Sequence, residues 1–275
     1  MIKLSISNIA WTVELDAEMN QFLNEVGFQG LEIAPSRIFP EAPYDKLSEA
    51  KAWVVELREK YGLQVPSMQS IWYGHQEKIF GSKEERRVLV KYTKKAIDFA
   101  EIIGCKNLVF GNPKNRDTDD VLGNYPTAID FFREIGDYAL EHHTTIAIEP
   151  NPTIYNTRFL NYTEQAVEMA YRCGSDGVKV NVDLGTIIYN EENINYLKQI
   201  PEYINHVHIS EPYLAPIEKK ELHIQLFDIL KEIEYDKFVS IEMRQLDSVD
   251  DVKRECQYIK KIAYHACTVF DCFIL

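Results

Sequence analysis

Hydrophobic and polar positions follow two alternating patterns from one end of the chain to the other. Short apolar runs bounded by polar turns are typical of buried strands. The longer stretches between them repeat apolar residues with a period of about 3.6, which is typical of amphipathic helices. Residues 83–103, 119–143 and 248–268 show the helical pattern. The apolar runs predict eight strands, at residues 3–8, 30–35, 64–69, 107–112, 145–150, 178–184, 204–210 and 238–244.

The order of these elements indicates the fold class. Strands and helices alternate throughout, and eight βα units in 275 residues favour an α/β protein with a (β/α)8 architecture, the TIM barrel. A doubly wound parallel sheet is the alternative. No Pro/Gly/Ser-rich linker, low-complexity run or shift in composition divides the sequence, so we expect residues 1–275 to form a single domain.

The two faces of the last four predicted strands differ in the same way on each strand. In a barrel, outward side chains meet the helices and should be apolar, whereas inward side chains line the interior. On each of these strands, valine or isoleucine alternates with a small or polar residue. The same alternation fits all four strands. The residues that it predicts to face the interior are Ala147 and Glu149, Asn181 and Asp183, His206 and His208, and Ser240 and Glu242.

Four of these inward residues are typical metal ligands, and each is the last inward residue of its strand, near the carboxyl-terminal mouth. Taken singly, an acidic residue at a strand end is more often a solvated or capping residue. Three acids at one depth, however, repel one another unless a cation lies between them. An oxygen-rich set without thiolates predicts one divalent ion, Mn²⁺ in preference to Mg²⁺, Co²⁺ or Zn²⁺. The set is Glu149, Asp183, His208 and Glu242.

Two of the four are also suited to acid–base catalysis. Glu149 and Glu242 lie on strands five and eight, across the mouth, so a substrate between them would meet one on each side. A metal chelated by the carbonyl and neighbouring hydroxyl of a ketose would acidify the intervening C–H and stabilise an enediolate. One glutamate would then remove the proton and the other would return it on the opposite face, which gives an epimer. A single glutamate that returned the proton to the adjacent carbon would interconvert an aldose and a ketose.

Composition and charge exclude several classes of protein. Hydrophobic residues make up 45% of the chain and charged residues 27%, and no apolar run approaches the roughly 18 residues of a membrane span. The amino terminus lacks a signal-peptide pattern, and the five cysteines are scattered without CxxC spacing, so we expect a cytoplasmic protein with reduced thiols. The net charge of −13 argues against a nucleic-acid partner.

Around the four candidate metal ligands, Glu149, Asp183, His208 and Glu242, the sequence resembles the sugar phosphate isomerase/epimerase group of the xylose isomerase-like barrel superfamily. The resemblance covers essentially the whole chain. The resemblance implies a divalent-metal site at the four residues above and paired-glutamate catalysis on a small carbohydrate. Barrels of this group often associate, so a homo-oligomer is a further expectation. The segments that carry the resemblance are GLEIAPSRIFP (30–40), LVFGNPKNR (108–116), IAIEPNP (146–152), VNVDLG (180–185), HVHISEP (206–212) and VSIEMR (239–244).

Departures from related enzymes narrow the assignment. Ketose 3-epimerases of the superfamily usually carry a histidine three residues after the strand-six aspartate, whereas this chain has Thr186, which weakens a specific 3-epimerase assignment. The related endonuclease IV enzymes build a trinuclear zinc cluster from further histidines. This chain has Gln69, Asn112 and Thr186 at the corresponding strand ends, and Glu221 and His223 in place of an Asp-x-His pair. A three-zinc cluster cannot be assembled from these residues.

Six further residues are candidates for contact with the substrate, and each has a structural alternative. Lys114 and Arg116 follow strand four, where they either hold a phosphate or carboxylate or face water. Glu32 is inward on strand two, where it either binds a substrate hydroxyl or pairs with a buried Lys or Arg. The others are Glu211 (a substrate or ligand contact, or a cap), His223 (substrate contact or surface residue) and Trp72, which with Tyr73 either stacks on a sugar or packs against the protein.

The favoured function is that of a metal-dependent sugar or sugar-phosphate isomerase or epimerase. A lyase that dehydrates a keto-inositol is the near alternative, because the same enediolate can expel a β-hydroxyl. A carbohydrate-binding barrel without catalytic activity and an abasic-site endonuclease are less favoured.

The two histidines of HVHISEP differ in depth rather than in orientation. Both should face the barrel interior, but His208 lies two strand residues nearer the mouth, about 6.6 Å at about 3.3 Å per residue. We therefore expect His208 to bind the metal, and His206 to be a hydrogen-bonded core residue one layer below.

Overall fold

The computed structural model describes residues 2–268, with side chains through residue 264. Its strands are β1 (Lys3–Ser7), β2 (Gly30–Glu32), β3 (Ser67–Met68), β4 (Asn107–Phe110), β5 (Ile146–Ile148), β6 (Val178–Asp183), β7 (Ile204–Ile209) and β8 (Phe238–Ile241). These eight strands are parallel and follow the order β2-β1-β8-β7-β6-β5-β4-β3. Isolated bridges from Gly30 to Gln64 and from Ile33 to Met68 join β2 to β3 and complete a ring. The TIM barrel is therefore confirmed, and the doubly wound sheet is wrong.

Helices connect the strands and surround the ring. The first of the three predicted helices begins and ends where its pattern does, because a capping box of Ser82 and Glu85 starts it and Gly104, at φ 74°, ends it. The second is confirmed within two residues at each end, and the third begins one residue later than predicted and continues to residue 268, the last residue that the structure describes. The helices are α1 (Asp16–Glu25), α2 (Pro35–Ile38), α3 (Leu47–Tyr61), α4 (Lys83–Ile103), α5 (Val121–Glu141), α6 (Thr163–Cys173), α7 (Leu184–Tyr189), α8 (Glu221–Glu232) and α9 (Val249–Thr268).

All eight strands are shorter than predicted, although backbone pairing continues past the ends of β5 and β8, which matter for function. Glu149 follows β5, and its N–H donates to the carbonyl of Phe110 at 3.1 Å. Glu242 follows β8, and its N–H donates to the carbonyl of Ile209 at 2.9 Å. Both residues are therefore held by the neighbouring strand, and their side chains keep the direction that the strand imposes.

The predicted parity is confirmed by burial and by contacts inside the barrel. The valines and isoleucines of β5 to β8 are buried in the hydrophobic core against the helices. Inside the ring, the hydroxyls of Ser5 and Ser240 are 2.5 Å apart, and Nε2 of His206 lies 3.0 Å from the hydroxyl of Ser240. Hydrogen bonding satisfies these buried polar groups below the mouth, as burial requires.

Three of the five cysteines, Cys105, Cys173 and Cys256, are buried free thiols. The side chains of Cys267 and Cys272 lie outside the described part. Among the helices of residues 2–268, none combines the length with the apolar composition that a membrane span requires. The prediction that residues 1–275 form one domain stays a prediction.

Candidate metal centre

The four predicted metal ligands come from four neighbouring strands. Asp183 ends β6, His208 lies in β7, and Glu149 and Glu242 directly follow β5 and β8. Asp183 is paired with His208 across the ladder, but His208 is paired with Ser240, so Glu242 lies two residues beyond that row. Strand tilt and stagger in the barrel offset this difference. One ligand atom from each of the four residues lies within 4.8 Å of the others.

His208 is oriented by a hydrogen bond on the side away from the cavity. Its Nε2 lies 3.0 Å from Oε2 of Glu32, while its Nδ1 lies 3.0 Å from Oε1 of Glu149 and 3.2 Å from Oε2 of Glu242. A carboxylate that accepts the proton of one ring nitrogen leaves the other nitrogen available as a ligand, which is the usual arrangement behind a metal-binding histidine. Glu32 therefore turns Nδ1 of His208 toward the two glutamates.

Asp183 is held by three donors. Its Oδ2 accepts the backbone N–H and the hydroxyl of Thr186, each at 2.7 Å, and its Oδ1 accepts the hydroxyl of Ser210. Asp183 thereby caps the first turn of α7 while its carboxylate borders the cavity. These contacts fix the position of the aspartate before any ligand binds.

Amide side chains hold the two glutamates. Oε1 of Glu149 accepts from Nδ2 of Asn181 at 2.7 Å, and its Oε2 accepts from Nδ2 of Asn151 at 3.3 Å. Oε1 of Glu242 accepts from Nε2 of Gln69 at 2.8 Å. Neutral donors of this kind position a carboxylate without neutralising its charge. The amides therefore leave the negative charge of Glu149 and Glu242 for a cation to neutralise.

Burial and mutual repulsion shift the pKa values of this group. Burial, assisted by the negative charge of Glu149, raises the pKa of Asp183 to about 6, and burial also raises the pKa of Glu242. Burial alone would lower the pKa of His208, but the charges of Glu32 and Glu242 raise it well above its usual value. The metal-free cluster thus retains protons that a divalent ion would replace.

Below this layer, Glu32 joins the two histidines. It is completely buried, and its Oε2 lies 3.0 Å from Nε2 of both His206 and His208. Within the described residues its Oε1 has no hydrogen-bond partner. Burial lowers the pKa of His206, in keeping with a neutral core histidine. The expected hydrogen-bonded core position of His206 is confirmed, and the pairing of Glu32 is with histidines instead of Lys or Arg.

A cavity of about 270 Å³ opens above the three carboxylates at the carboxyl-terminal mouth. Gly111 permits the position of one of them, because a Cβ there would lie 2.7 Å from Oε2 of Glu149. The acidic residues form one part of the wall, and neutral polar, aromatic and aliphatic residues form the rest. The neutral lining residues are Gln69, Ser70, Trp72, Tyr73, Val109, Gly111, Asn112, Pro113, Asn151, Tyr155 and Leu214.

A family model described as "Xylose isomerase-like TIM barrel" matches residues 21–262. The chain belongs to this family. The match covers helices α2 to α9, apart from the last six residues of α9, and strands β2 to β8. No protein with a curated description matches the sequence.

Solved structures with the same fold include sugar epimerases. A 3-keto-D-glucoside 4-epimerase from E. coli is 20% identical, with a TM-score of 0.74 over 98% of this chain and 100% of the other. A D-psicose 3-epimerase from Clostridium cellulolyticum H10, solved with D-tagatose, is 15% identical, with a TM-score of 0.72 over 97% of both chains. The IolI protein, solved with a bound zinc atom, is 17% identical, with a TM-score of 0.66 over 97% of this chain and 96% of the other. At these identities the similarity shows the fold.

Two residues that were predicted to contact the substrate of this xylose isomerase-like barrel, Arg116 and Trp72, bond to other parts of the protein. Arg116 is completely buried and donates to the backbone carbonyls of Phe110 and Glu149, at 3.2 and 2.7 Å. Trp72 borders the cavity but is 1% exposed, and its Nε1 donates to the hydroxyl of Thr93 at 2.8 Å. Both residues position the walls of the site, and a direct contact with substrate stays a prediction.

The remaining candidates surround the site at different distances. Lys114 is exposed on the turn after β4, next to the cavity wall. Glu211 is buried and paired with Lys220 at 2.6 Å. His223 is buried under α9, where its Nδ1 lies 3.1 Å from the hydroxyl of Tyr258. None of these three borders the cavity as described, and their contact with substrate also stays a prediction. Tyr73 borders it and is 75% exposed.

Several residues of this barrel's site were not among the predicted site residues. Asn181 lies at an inward position of β6, and Ser210 lies at an inward position directly after β7, so strand parity is a sufficient signal for both. Gln69 directly follows β3, and the sequence marks it only as the replacement of a zinc-binding histidine. Tyr155 and Leu214 come from irregular loops, where no periodicity marks the inward side chains.

Proposed function

We propose that this barrel is a divalent-metal-dependent isomerase or epimerase of a small sugar. The observation that carries the proposal is the convergence of three carboxylates, which line a cavity of about 270 Å³, with the buried imidazole of His208. Structurally similar proteins act on small carbohydrates, as the names 3-keto-D-glucoside 4-epimerase and D-psicose 3-epimerase state. The fold, the donor set and the cavity therefore support the same class of reaction.

The residues present fit a divalent ion. Glu149, Asp183, His208 and Glu242 would hold it, because their donor atoms already face one point and the imidazole presents Nδ1 to that point. Oxygen-rich ligands with one imidazole suit Mn²⁺ best, and they also suit Mg²⁺, Co²⁺ and Zn²⁺. When bound, the ion would polarise the sugar carbonyl and acidify the neighbouring C–H.

The two glutamates would move the proton. Glu149 and Glu242 approach His208 from β5 and β8, at 3.0 and 3.2 Å from the same ring nitrogen, so a sugar bound above them meets a carboxylate on either side. One carboxylate removes the proton next to the carbonyl, and the other returns a proton to the opposite face of the same carbon. Asn181, Asn151 and Gln69 keep both carboxylates in place during the transfer.

The experiment is to measure the metal content of the purified protein and then to follow a panel of ketoses and aldoses in D₂O by NMR. We expect about one divalent ion per chain and a product with the original number of hydroxyls and deuterium at one carbon. Glu149→Gln and Glu242→Gln should each lower turnover by about 100-fold or more, in the range of acid–base catalysis. Loss of a hydroxyl would indicate a lyase instead. Sugar binding that survives both substitutions without turnover in any metal would indicate a binding protein, and chelator-sensitive cleavage of abasic DNA a nuclease.

A further inference from the structure

We infer that the sugar bound by this site is a neutral monosaccharide, without a phosphate or carboxylate group. This inference rests on the proposed function and specifies its substrate class. It is carried by the side chains that surround the cavity, by the placement of the nearest cations and by the size of the space.

The cavity wall carries negative charge and lacks a positive partner for an anionic substrate. Among the described residues that line it, Glu149, Asp183 and Glu242 are acidic, and none is Lys, Arg or His. Proteins that bind a phosphate or carboxylate usually supply Arg, Lys or a row of backbone N–H groups to it. The helix that starts at this wall, α7, already donates the N–H of Thr186 to Asp183.

The cations near the mouth are engaged elsewhere or lie outside the wall. Arg116 donates to two backbone carbonyls and to Oδ1 of Asn151, at 2.8 Å. Lys220 is paired with Glu211 and Glu218, at 2.6 and 2.8 Å. Lys114 and Arg244 are exposed and do not border the cavity.

The charge of the site itself opposes an anionic substrate. Three carboxylates and one divalent ion leave one negative charge at the floor, which attracts a cation and repels a phosphate. Tyr155 lines this wall, and in the metal-free site burial and the charges of Asp183, Glu242 and Glu149 raise its pKa far above the usual value. Its phenol therefore stays protonated and can donate a hydrogen bond to a hydroxyl of the sugar.

The shape of the cavity favours a single sugar ring. Its volume of about 270 Å³ is slightly below the range of about 300 to 1,000 Å³ that is common for ligand pockets. The lining combines the three carboxylates with aromatic and aliphatic surface from Tyr155, Leu214 and Pro113. A neutral monosaccharide has hydroxyl-bearing edges for the polar side and C–H groups for the apolar side. The wall therefore matches both surfaces of such a ligand.

The test compares free ketoses with their phosphate esters: D-fructose, D-psicose and L-ribulose against D-fructose 6-phosphate, D-psicose 6-phosphate and L-ribulose 5-phosphate, at one free Mn²⁺ concentration. We expect kcat/KM for a free sugar to exceed that of its ester by at least about tenfold, because like charges disfavour the ester. Equal or faster conversion of the esters would overturn the inference and leave the proposed function standing. Conversion of neither series by the metal-loaded protein would overturn the proposed function, and the inference with it.

A variant that adds a positive charge tests the same wall directly. Leu214→Lys places a cation in the lining, and the neutral Leu214→Met is its matched control. We expect the ratio of ester to free-sugar kcat/KM to rise by about tenfold or more in Leu214→Lys and to stay within about twofold in Leu214→Met. An unchanged ratio in Leu214→Lys would contradict the inference, since charge at the wall would then have no part in the choice of substrate.

Discussion

The two halves of the barrel mouth are built differently. On one half, here called the strand half, β5 to β8 and the residues directly after them supply Glu149, Asp183, His208 and Glu242, and β6 and β7, with six residues each, are the longest strands of the described chain. On the other half, here called the loop half, β3 has only two residues, and most of this half's lining comes from the loops after β3 and β4. In those loops Ser70 and Asn112 have φ values of 54° and 41°, a backbone region that non-glycine residues seldom adopt. Charged ligands thus lie on paired strands, whereas the shape of the cavity depends on local loop conformation.

The largest expected effect comes from removing the imidazole at the centre of the strand half. His208→Ala leaves three carboxylates without the ligand between them, and we expect the affinity for Mn²⁺ to fall by more than about 100-fold, beyond the effect of an outer-shell change. Calorimetric titration of metal-free protein measures this loss.

The control is His206→Ala, one layer lower. It should still bind one equivalent of metal at saturating Mn²⁺ while the free energy of unfolding falls by about 1–3 kcal/mol, because a hydrogen-bonded core residue is lost. Urea unfolding measures the second quantity. Equal loss of metal in both variants would contradict the distinction in depth.

The next largest effect is expected for Glu32, which lies on the loop half and orients the ligand His208 on the strand half. Glu32, at the end of β2, holds Nε2 of His208 at 3.0 Å. Glu32→Gln keeps the size of the side chain and removes the charge, so we expect the metal affinity to fall by about 10- to 100-fold. Glu211→Gln is the matched control, because Glu211 is also a buried acid near the mouth but pairs with Lys220 instead of a ligand. Similar losses in both variants would show a general effect of charge instead of orientation of His208.

The strand half could be predicted from the sequence, and much of the loop half could not. Alternation with a period of two fixed which side chains of β5 to β8 face inward, because a ladder leaves each residue only one direction. The same alternation brought Glu149, Asp183, His208 and Glu242 to one end of the barrel. It also marked Asn181, whose amide holds Glu149, although the sequence offered no reason to assign it that role.

The sequence carries no comparable signal for contacts between distant segments or for the directions of side chains in loops. Glu32 and His208 are separated by 176 residues, and Gln69 and Glu242 by 173, so only the closed ring brings each pair together. Arg116 shows the second limit. The sequence placed it on a loop at the mouth, but its guanidinium is directed inward to backbone carbonyls because the loop folds back over the strand ends.

A change in pH should affect the ligand cluster through its protons. Burial and the charge of Glu149 raise the pKa of Asp183 to about 6, so the metal-free site takes up a proton as the pH falls through 6. A metal must displace that proton, and we therefore expect the affinity for Mn²⁺ to fall by at least about tenfold between pH 7 and pH 5. Chelator competition at the two pH values measures the change, and circular dichroism checks that the fold persists. A pH-independent affinity would contradict retention of protons by the metal-free cluster.

The smallest expected effect concerns Thr186, three residues after the candidate ligand Asp183. Thr186 is completely buried, and its hydroxyl lies 2.7 Å from Oδ2 of Asp183 and 2.9 Å from the carbonyl of Pro150. Thr186→Val removes the hydroxyl and keeps the backbone N–H that also holds Asp183. We expect metal affinity to fall by about fivefold, which corresponds to about 1 kcal/mol for one hydrogen bond, and Thr186→Ser to retain it.

The pattern of this loss decides what the residue does. If Thr186 acts through Asp183, Thr186→Val changes the affinity for Mn²⁺ while KM for the sugar at saturating metal stays within about twofold, because the hydroxyl does not reach the cavity wall. A raised KM with unchanged metal affinity would instead mean that Thr186 contacts the substrate. The substitution therefore determines whether Thr186 supports a metal ligand or binds the sugar.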